Sequence, residues 1–332
     1  MGALRAFPEP AEDRTVEHPS GEQVRIGVVG TGGIGGYFGA LLARGGHEVF
    51  CLARGEHLRA IQEGGLRVES AVGNFTVRPR ATADPAAIGP VELILFGVKT
   101  YDTDEAARAM GPMVGEGTAV LTLQNGVDSA ERIAAAAGPG RVLPGAAFIF
   151  SHVAAPGLIR QTAGPRKIVF GEADGARTAR AEAILAACRG AEIAAELADQ
   201  IVRVLWEKWA YICAQGGLTA LTRLPLGDIR ACAETWAFYR GVIEEIVAVA
   251  AVRGIALSPG VVEGILNQAS KLEPHARSSM YDDLAAGRRL EIEALNGTAV
   301  RYGREAAVPT PLNLAIYASL VPYAAGARTA TA

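Results

Sequence analysis

The hydrophobic and polar positions of this chain change rhythm once. Up to about residue 198, compact apolar runs alternate with helix-like stretches. Residues 24–29 (VRIGVV), 48–53 (EVFCLA), 93–98 (LILFGV) and 119–124 (AVLTLQ) are short and rich in β-branched or large apolar side chains, so they read as buried strands. Residues 37–44 (YFGALLAR), 57–63, 128–137 and 178–188 fall between strands and read as helices. Residues 66–82 alternate loosely around Gly73-Asn74, which suggests a small antiparallel excursion. Residues 141–150 return to the sheet. Residues 151–172, with Gly157 and Gly164-Pro165, read as antiparallel hairpins at the domain edge, and 192–196 as a last strand. Beyond residue 198 strand signals stop. A long helix at 202–221 is followed by helical text at 228–233, 237–252, 259–268, 279–285 and 293–304, punctuated by Pro225, Pro259, Pro274 and Pro309. The pattern predicts an α/β protein: a Rossmann-type doubly wound sheet over 24–198, then an all-helical domain over 199–325. Residues 1–23 are polar and hold Pro8, Pro10 and Pro19, the text of a flexible tail.

The first strand runs into Gly30-Thr31-Gly32-Gly33-Ile34-Gly35, a G-x-G-x-x-G that opens onto a helix. A lone match is weak, and an ordinary glycine-rich β–α turn competes with it. Strand, glycine turn and helix in register are what a dinucleotide fingerprint requires. Gly30 permits the tight turn, Gly32 lets the pyrophosphate approach the backbone, and Gly35 lets helix and strand pack closely. The helix N-terminus offers free N–H groups to phosphate. At the end of the second strand, where an acid would select NAD, stand Ala53 and Arg54. A guanidinium suits a 2′-phosphate and points to NADP, although a solvated loop arginine, with Glu56 close by, gives the same text. Lys99 follows the strand at 93–98, on the side where open α/β sheets bind ligands; a surface lysine at a helix start fits equally well. Asn125 ends the strand at 119–124, either beside a nicotinamide or in a plain Asn-Gly turn.

Composition narrows the partners. With 332 residues, half of them hydrophobic, one large or two ordinary domains are expected. A net charge of −3 leaves no basic footprint for nucleic acid. Cys51, Cys188, Cys213 and Cys232 lack metal or redox spacing and read as small core residues of a reducing compartment, and the five histidines form no ligand pair, so no metal is expected. No apolar run approaches the ~20 residues of a membrane span, and no basic-then-apolar leader stands at the start. These features suggest a soluble cytoplasmic protein with no nucleic-acid or membrane partner.

In the helical half, Lys208 interrupts VLWEKWAYICAQG between Trp206 and Trp209. From pattern alone it is either a snorkelling surface lysine or a functional acid. Here the chain resembles the ketopantoate reductase family. The resemblance is carried by GTGGIGG at 30–36, ARGEHL at 53–58, VKTYD at 98–102, QNGVDS at 124–129, WEKW at 206–209 and SSMYDDLAAGRRLEIEALNG at 278–297. It spans about residues 24–320.

The resemblance implies NADPH-dependent reduction of a 2-oxo acid to a 2-hydroxy acid, and with it pantothenate biosynthesis. It implies that Gly30, Gly32 and Gly35 hold the pyrophosphate and Arg54 the 2′-phosphate. Lys99 would contact the cofactor, and Asn125 would sit by the nicotinamide ribose and the catalytic lysine. Lys208 would be the general acid, Ser279 would bind the substrate carboxylate, and Glu291 would orient Lys208 or the substrate hydroxyl. The expected partner is a small-molecule 2-oxo acid, with homodimer assembly left open. Many family members carry asparagines four and eight residues after the lysine; here those positions are Ile212 and Gly216. Neither can donate a hydrogen bond, and Gly216 removes bulk and leaves room for a larger substituent, so ketopantoate is disfavoured and a 2-oxo acid with an apolar tail is favoured. Two other functions stay open: a family member acting on a different ketone or hydroxy acid, and a non-catalytic NADP-binding sensor. Lys208 and Glu291 favour chemistry, since neither has an evident structural purpose in apolar text.

Overall fold

A computed structural model describes residues 23–327. The expected tail falls outside the described residues except for Gln23, whose side-chain amide donates to Gly46 O at 3.1 Å. The chain divides into two compact units. Among the described residues, one comprises 23–98, 104–124 and 132–199, the other 99–103, 125–131 and 200–327.

The first unit is built on one sheet. Its strands are β1 (Arg25–Val29), β2 (Glu48–Leu52), β3 (Leu66–Glu69), β4 (Phe75–Val77), β5 (Arg80–Thr82), β6 (Val91–Phe96), β7 (Val114–Thr122), β8 (Val142–Ala155), β9 (Leu158–Phe170) and β10 (Ala194–Leu197). Their order is β4-β3-β9-β8-β7-β6-β1-β2-β5, with β10 beside β9. From β8 to β5 all neighbours run parallel. The unit's helices are α1 (Gly33–Arg44), α2 (Gly55–Gly64), α5 (Ala179–Gly190) and all but the first residues of α3 (Thr103–Ala109) and α4 (Ser129–Ala137).

The near-continuous apolar strands are explained by burial on both faces. Ile26, Val28, Leu93, Leu95 and Leu121 join α1 and α5 in one core. Their neighbours Val29, Ile94, Phe96 and Val120 join α3 and α4 residues, with Met110 and Met113, in another. Alternate side chains of the same strands therefore enter opposite cores, which is the doubly wound arrangement.

The stretch 141–172 is simpler than its glycines and prolines suggest. It is one long hairpin, β8 antiparallel to β9. The excursion at 66–77 is an antiparallel pair, β3 with β4, and β3 then adds in parallel to β9.

The second unit is helical: α6 (Ile201–Thr222), α7 (Leu226–Ala231), α8 (Ala233–Val252), α9 (Val261–Ser270), α10 (Ser279–Ala285), α11 (Thr298–Glu305) and α12 (Pro311–Leu320). Trp206, Trp209, Cys213 and Leu218 of α6 pack with Tyr239, Val242 and Ile246 of α8 in its core. The helix expected over 293–304 opens instead with a wide π-type turn, Glu293–Gly297, interrupted at Leu295 (φ −98°, ψ −107°). There Asn296 is fully buried and its amide donates to Asn313 Oδ1 at 2.9 Å, a long-range bond that no local pattern announces. Cys51, Cys188 and Cys213 are buried as expected, but Cys232 is exposed. Its thiol lies at the cap of α8 and donates to Glu234 at 3.2 Å, because the preceding helix ends one residue earlier and leaves it on a corner. Among the described residues, no helix is long and apolar enough to cross a membrane.

Candidate active site

In the first unit, Gly30 follows β1 where the chain order reverses between β6 and β2, the crevice position of such sheets. Its φ of +92° and the 2.6 Å between a would-be Cβ and Val98 N leave room for glycine alone. Gly35 is equally constrained, since a Cβ there would overlap the carbonyl oxygen of Gly30. Gly33 is held by the hairpin: a Cβ would strike the Ser151 backbone, and Ser151 Oγ donates to Gly33 O at 2.8 Å. Gly32 differs. Its φ is −86°, and no described atom lies within 4 Å of its would-be Cβ. Neither backbone conformation nor internal packing calls for glycine at that position. A ligand pressed against the backbone would, and no described side chain caps the N-terminus of α1 beside it. The loop fits a dinucleotide pyrophosphate on these grounds.

Thr31 and Ile34 serve the frame. Thr31 Oγ1 donates to Leu52 O at 3.0 Å, and Ile34 packs on the sheet core. His57, which the sequence did not single out, clamps the loop. Gly157 N donates to its Nδ1 at 3.0 Å, so Nε2 carries the proton and donates to Thr31 O at 2.8 Å. Burial lowers the pKa of His57, outweighing that bond, and favours this neutral form. The signal available was its place three residues after Arg54. Arg54 itself caps α2 in extended conformation, 3.4 Å from Glu105. The two side chains are 73% and 67% exposed, so this pair contributes little and leaves the guanidinium available.

In the second unit, Lys208 Nζ donates to Asn125 Oδ1 at 3.2 Å. Lys208 is half-buried, and desolvation pulls its pKa down to about 8, against the Glu291 carboxylate, which raises it. Asn125 lines a narrow cavity of about 20 Å³ together with Ile212, Gly216, Ser279, Asp283 and Glu291. That is space for about one water. Residues spread from 125 to 291 thus meet at one place, Ser279 as an exposed residue in the first turn of α10.

Glu291 has a structural purpose after all. Its Oε1 accepts from Thr100 N at 3.0 Å and its Oε2 from Lys99 Nζ at 3.2 Å. Lys99 also donates to Asp283 Oδ2 at 3.0 Å, and Arg288 to Asp283 Oδ1 at 2.8 Å. Burial opposes the charge on Lys99, but the Glu291 and Asp283 carboxylates together hold its pKa above the usual lysine range. Asp283 escaped the sequence reading, although it lies one helical turn after Ser279 and so shares its face. The expectation that Gly216 opens free room also needs correction. A Cβ there would lie 3.2 Å from Met280 Cε, so the thioether methyl already fills the space. Gln215 is buried and accepts from Tyr239 at 3.3 Å.

Residues 26–175 match the family described as ketopantoate reductase PanE/ApbA, and residues 200–324 its C-terminal counterpart. A 2-dehydropantoate 2-reductase of Halobacterium salinarum is 33% identical, the match covering 87% of this chain and 95% of that one. A PanE/ApbA family ketopantoate reductase structure from Ralstonia eutropha superposes with a TM-score of 0.84 at 34% identity, over 90% of this chain and 98% of that one. D-mandelate dehydrogenase, solved with NADH and anilino(oxo)acetate, superposes at 0.83 over 90% and 98% of the two chains. Its 21% identity speaks for the fold alone.

Proposed function

The chain belongs to the ketopantoate reductase family, a family of oxidoreductases, and on that premise we propose that it reduces a 2-oxo acid to the 2-hydroxy acid with NADPH, Lys208 serving as general acid. The observation that carries this is the bond from Lys208 to Asn125 beside a cavity that also gathers Glu291 and Ser279. When bound, the reduced nicotinamide supplies the hydride. The chain's own task is to meet the negative charge that then grows on the substrate oxygen. A poorly solvated ammonium with a pKa of about 8 is a good donor for that purpose near neutrality. Asn125 Oδ1 aims the ammonium. Glu291, fixed by Thr100 N–H and Lys99, lends it negative potential from a set position. The exposed Ser279 hydroxyl is a donor for the substrate carboxylate.

On the cofactor side, Gly32 gives the pyrophosphate access to the backbone, and Arg54 takes the 2′-phosphate. Arg54→Ala is therefore expected to weaken NADPH binding far more than NADH binding, measured by titrating both cofactors into both proteins. Equal affinity for the two cofactors in the unmutated protein would overturn the NADP assignment.

The substrate follows from Ile212 and Gly216. Both line the cavity, and neither offers a donor to a substrate hydroxyl. A polar tail laid against them loses its water without replacement, whereas an apolar tail gains about 25 cal/mol per Å² buried. We expect NADPH oxidation across a panel of 2-oxo acids to be slow with ketopantoate and faster with alkyl or aryl 2-oxo acids. If ketopantoate is the best substrate of the panel, the apolar-tail assignment is wrong. If no 2-oxo acid is reduced, the reductase assignment itself fails.

A further inference from the structure

We infer that Met280, seated on Gly216, is the specificity-determining end wall of the substrate cavity, a movable one that sets how large a 3-substituent the 2-oxo acid can carry. This rests on the reductase function proposed above. Lys208, Ile212 and Gly216 succeed one another at four-residue intervals along α6, each step roughly 6 Å at a rise of ~1.5 Å per residue. Gly216 therefore lies at the far end of the strip from the proton donor, where the substituent of a substrate held at Lys208 would finish.

Met280 closes that end. It is 4% exposed, its Cε lies 3.2 Å and its Cβ 3.9 Å from the position of a Gly216 Cβ, and it lines the same cavity. The neighbouring Gly217 shows the contrast: a Cβ there would press on Ile316, an ordinary helix-packing requirement. At about 20 Å³ the cavity holds about one water, and a 2-oxo acid gains its room there when a lining side chain withdraws. Asn125, Ser278, Asp283 and Glu291 are held by hydrogen bonds, Ser279 is already exposed, Leu295 is fixed in the interrupted turn Glu293–Gly297, and Ile212 is stiff at its branched Cβ. Met280 has no such bond, several rotatable torsions and a polarizable thioether that re-packs readily against apolar or aromatic groups. Its withdrawal from Gly216 leaves an apolar recess with a glycine floor, suited to a branched alkyl or phenyl substituent.

The test compares phenylpyruvate with pyruvate. Turnover with NADPH and equilibrium binding by calorimetry in the presence of oxidised cofactor are measured for the unmutated chain, Met280→Ala and Gly216→Ala. Met280→Ala is expected to raise the phenylpyruvate-to-pyruvate ratio of kcat/KM at least tenfold, mainly through KM, with the pH dependence of turnover unchanged. Gly216→Ala, which pushes on the same contact from the other side, is expected to lower the ratio, and it decides the matter alone if Met280→Ala does not fold. A ratio that stays constant while turnover persists overturns the role of Met280. A binding ratio that shifts without turnover by any variant supports the end wall and overturns the reductase function. Absence of both binding and turnover overturns both.

Discussion

Replacing Lys208 with alanine is expected to lower turnover by roughly 10²–10⁴-fold, the usual contribution of a general acid, while leaving dinucleotide affinity nearly intact. The loss is large because no neighbour can take over. Asn125 presents its carbonyl oxygen to Lys208, and Lys99, the other ammonium of the cluster, is engaged by Asp283 and Glu291. The pH dependence carries a sign that tests the role. With Lys208 in the proposed role, reduction draws on its protonated form, so kcat/KM is expected to fall as pH rises through about 8, and the Lys208→Ala variant to lose that limb. Stability moves the other way. The folded pKa lies below the ordinary 10.5, so between about 8 and 10.5 the unfolded chain binds more protons and the fold gains stability as pH rises. Lys208→Met removes the cost of desolvating the charge, so its melting temperature at neutral pH is expected to exceed that of the unmutated protein. Near-normal turnover of the alanine variant would return Lys208 to the class of snorkelling side chains.

The second large effect separates two glycines of one motif. Gly32→Ala is expected to fold with unchanged melting temperature, because its φ of −86° suits any residue and its would-be Cβ meets no described atom within 4 Å. It is expected to weaken NADPH binding by about 10²-fold, ~2.7 kcal/mol, because the methyl group would stand in the path of the proposed pyrophosphate. Gly35→Ala is expected to do the reverse in kind. Its Cβ would overlap Gly30 O and crowd Val28, so the cost falls on the fold, at about 1–3 kcal/mol for an overpacked contact. Denaturation midpoints and cofactor titrations on both variants make the comparison. A Gly32→Ala protein that binds NADPH normally would remove this loop from the cofactor site.

Sequence alone was informative wherever one segment's pattern decides its surroundings. The runs at 24–29, 93–98 and 119–124 had to be strands buried on both faces, and they are, with alternate residues entering separate cores. The glycine spacing after β1 could be read because part of it is set within the motif itself: Gly30 turns at a φ of +92°, and Gly35 answers the carbonyl of Gly30 five residues back. The single interval of four residues on α6 was enough to put Ile212 and Gly216 on one face with Lys208, and all three lie at or beside the cavity.

What the tertiary structure decided was pairing across distance. Lys99 reads from sequence as a cofactor contact or a surface lysine, yet it joins Asp283 and Glu291, nearly two hundred positions away. The expectation that Glu291 has no structural work failed for the same reason, since its partner Thr100 N–H belongs to another stretch of chain. Gly216 reads as free room until Met280 is seen to occupy it. His57 gains its meaning only when Gly157 N and Thr31 O meet it from opposite sides. Periodicity and turn chemistry are local interactions, written in neighbouring residues. The identity of a buried charge's partner, or of the side chain that fills a vacancy, depends on which distant segments the folded cores bring into contact, and that is fixed only when the chain packs.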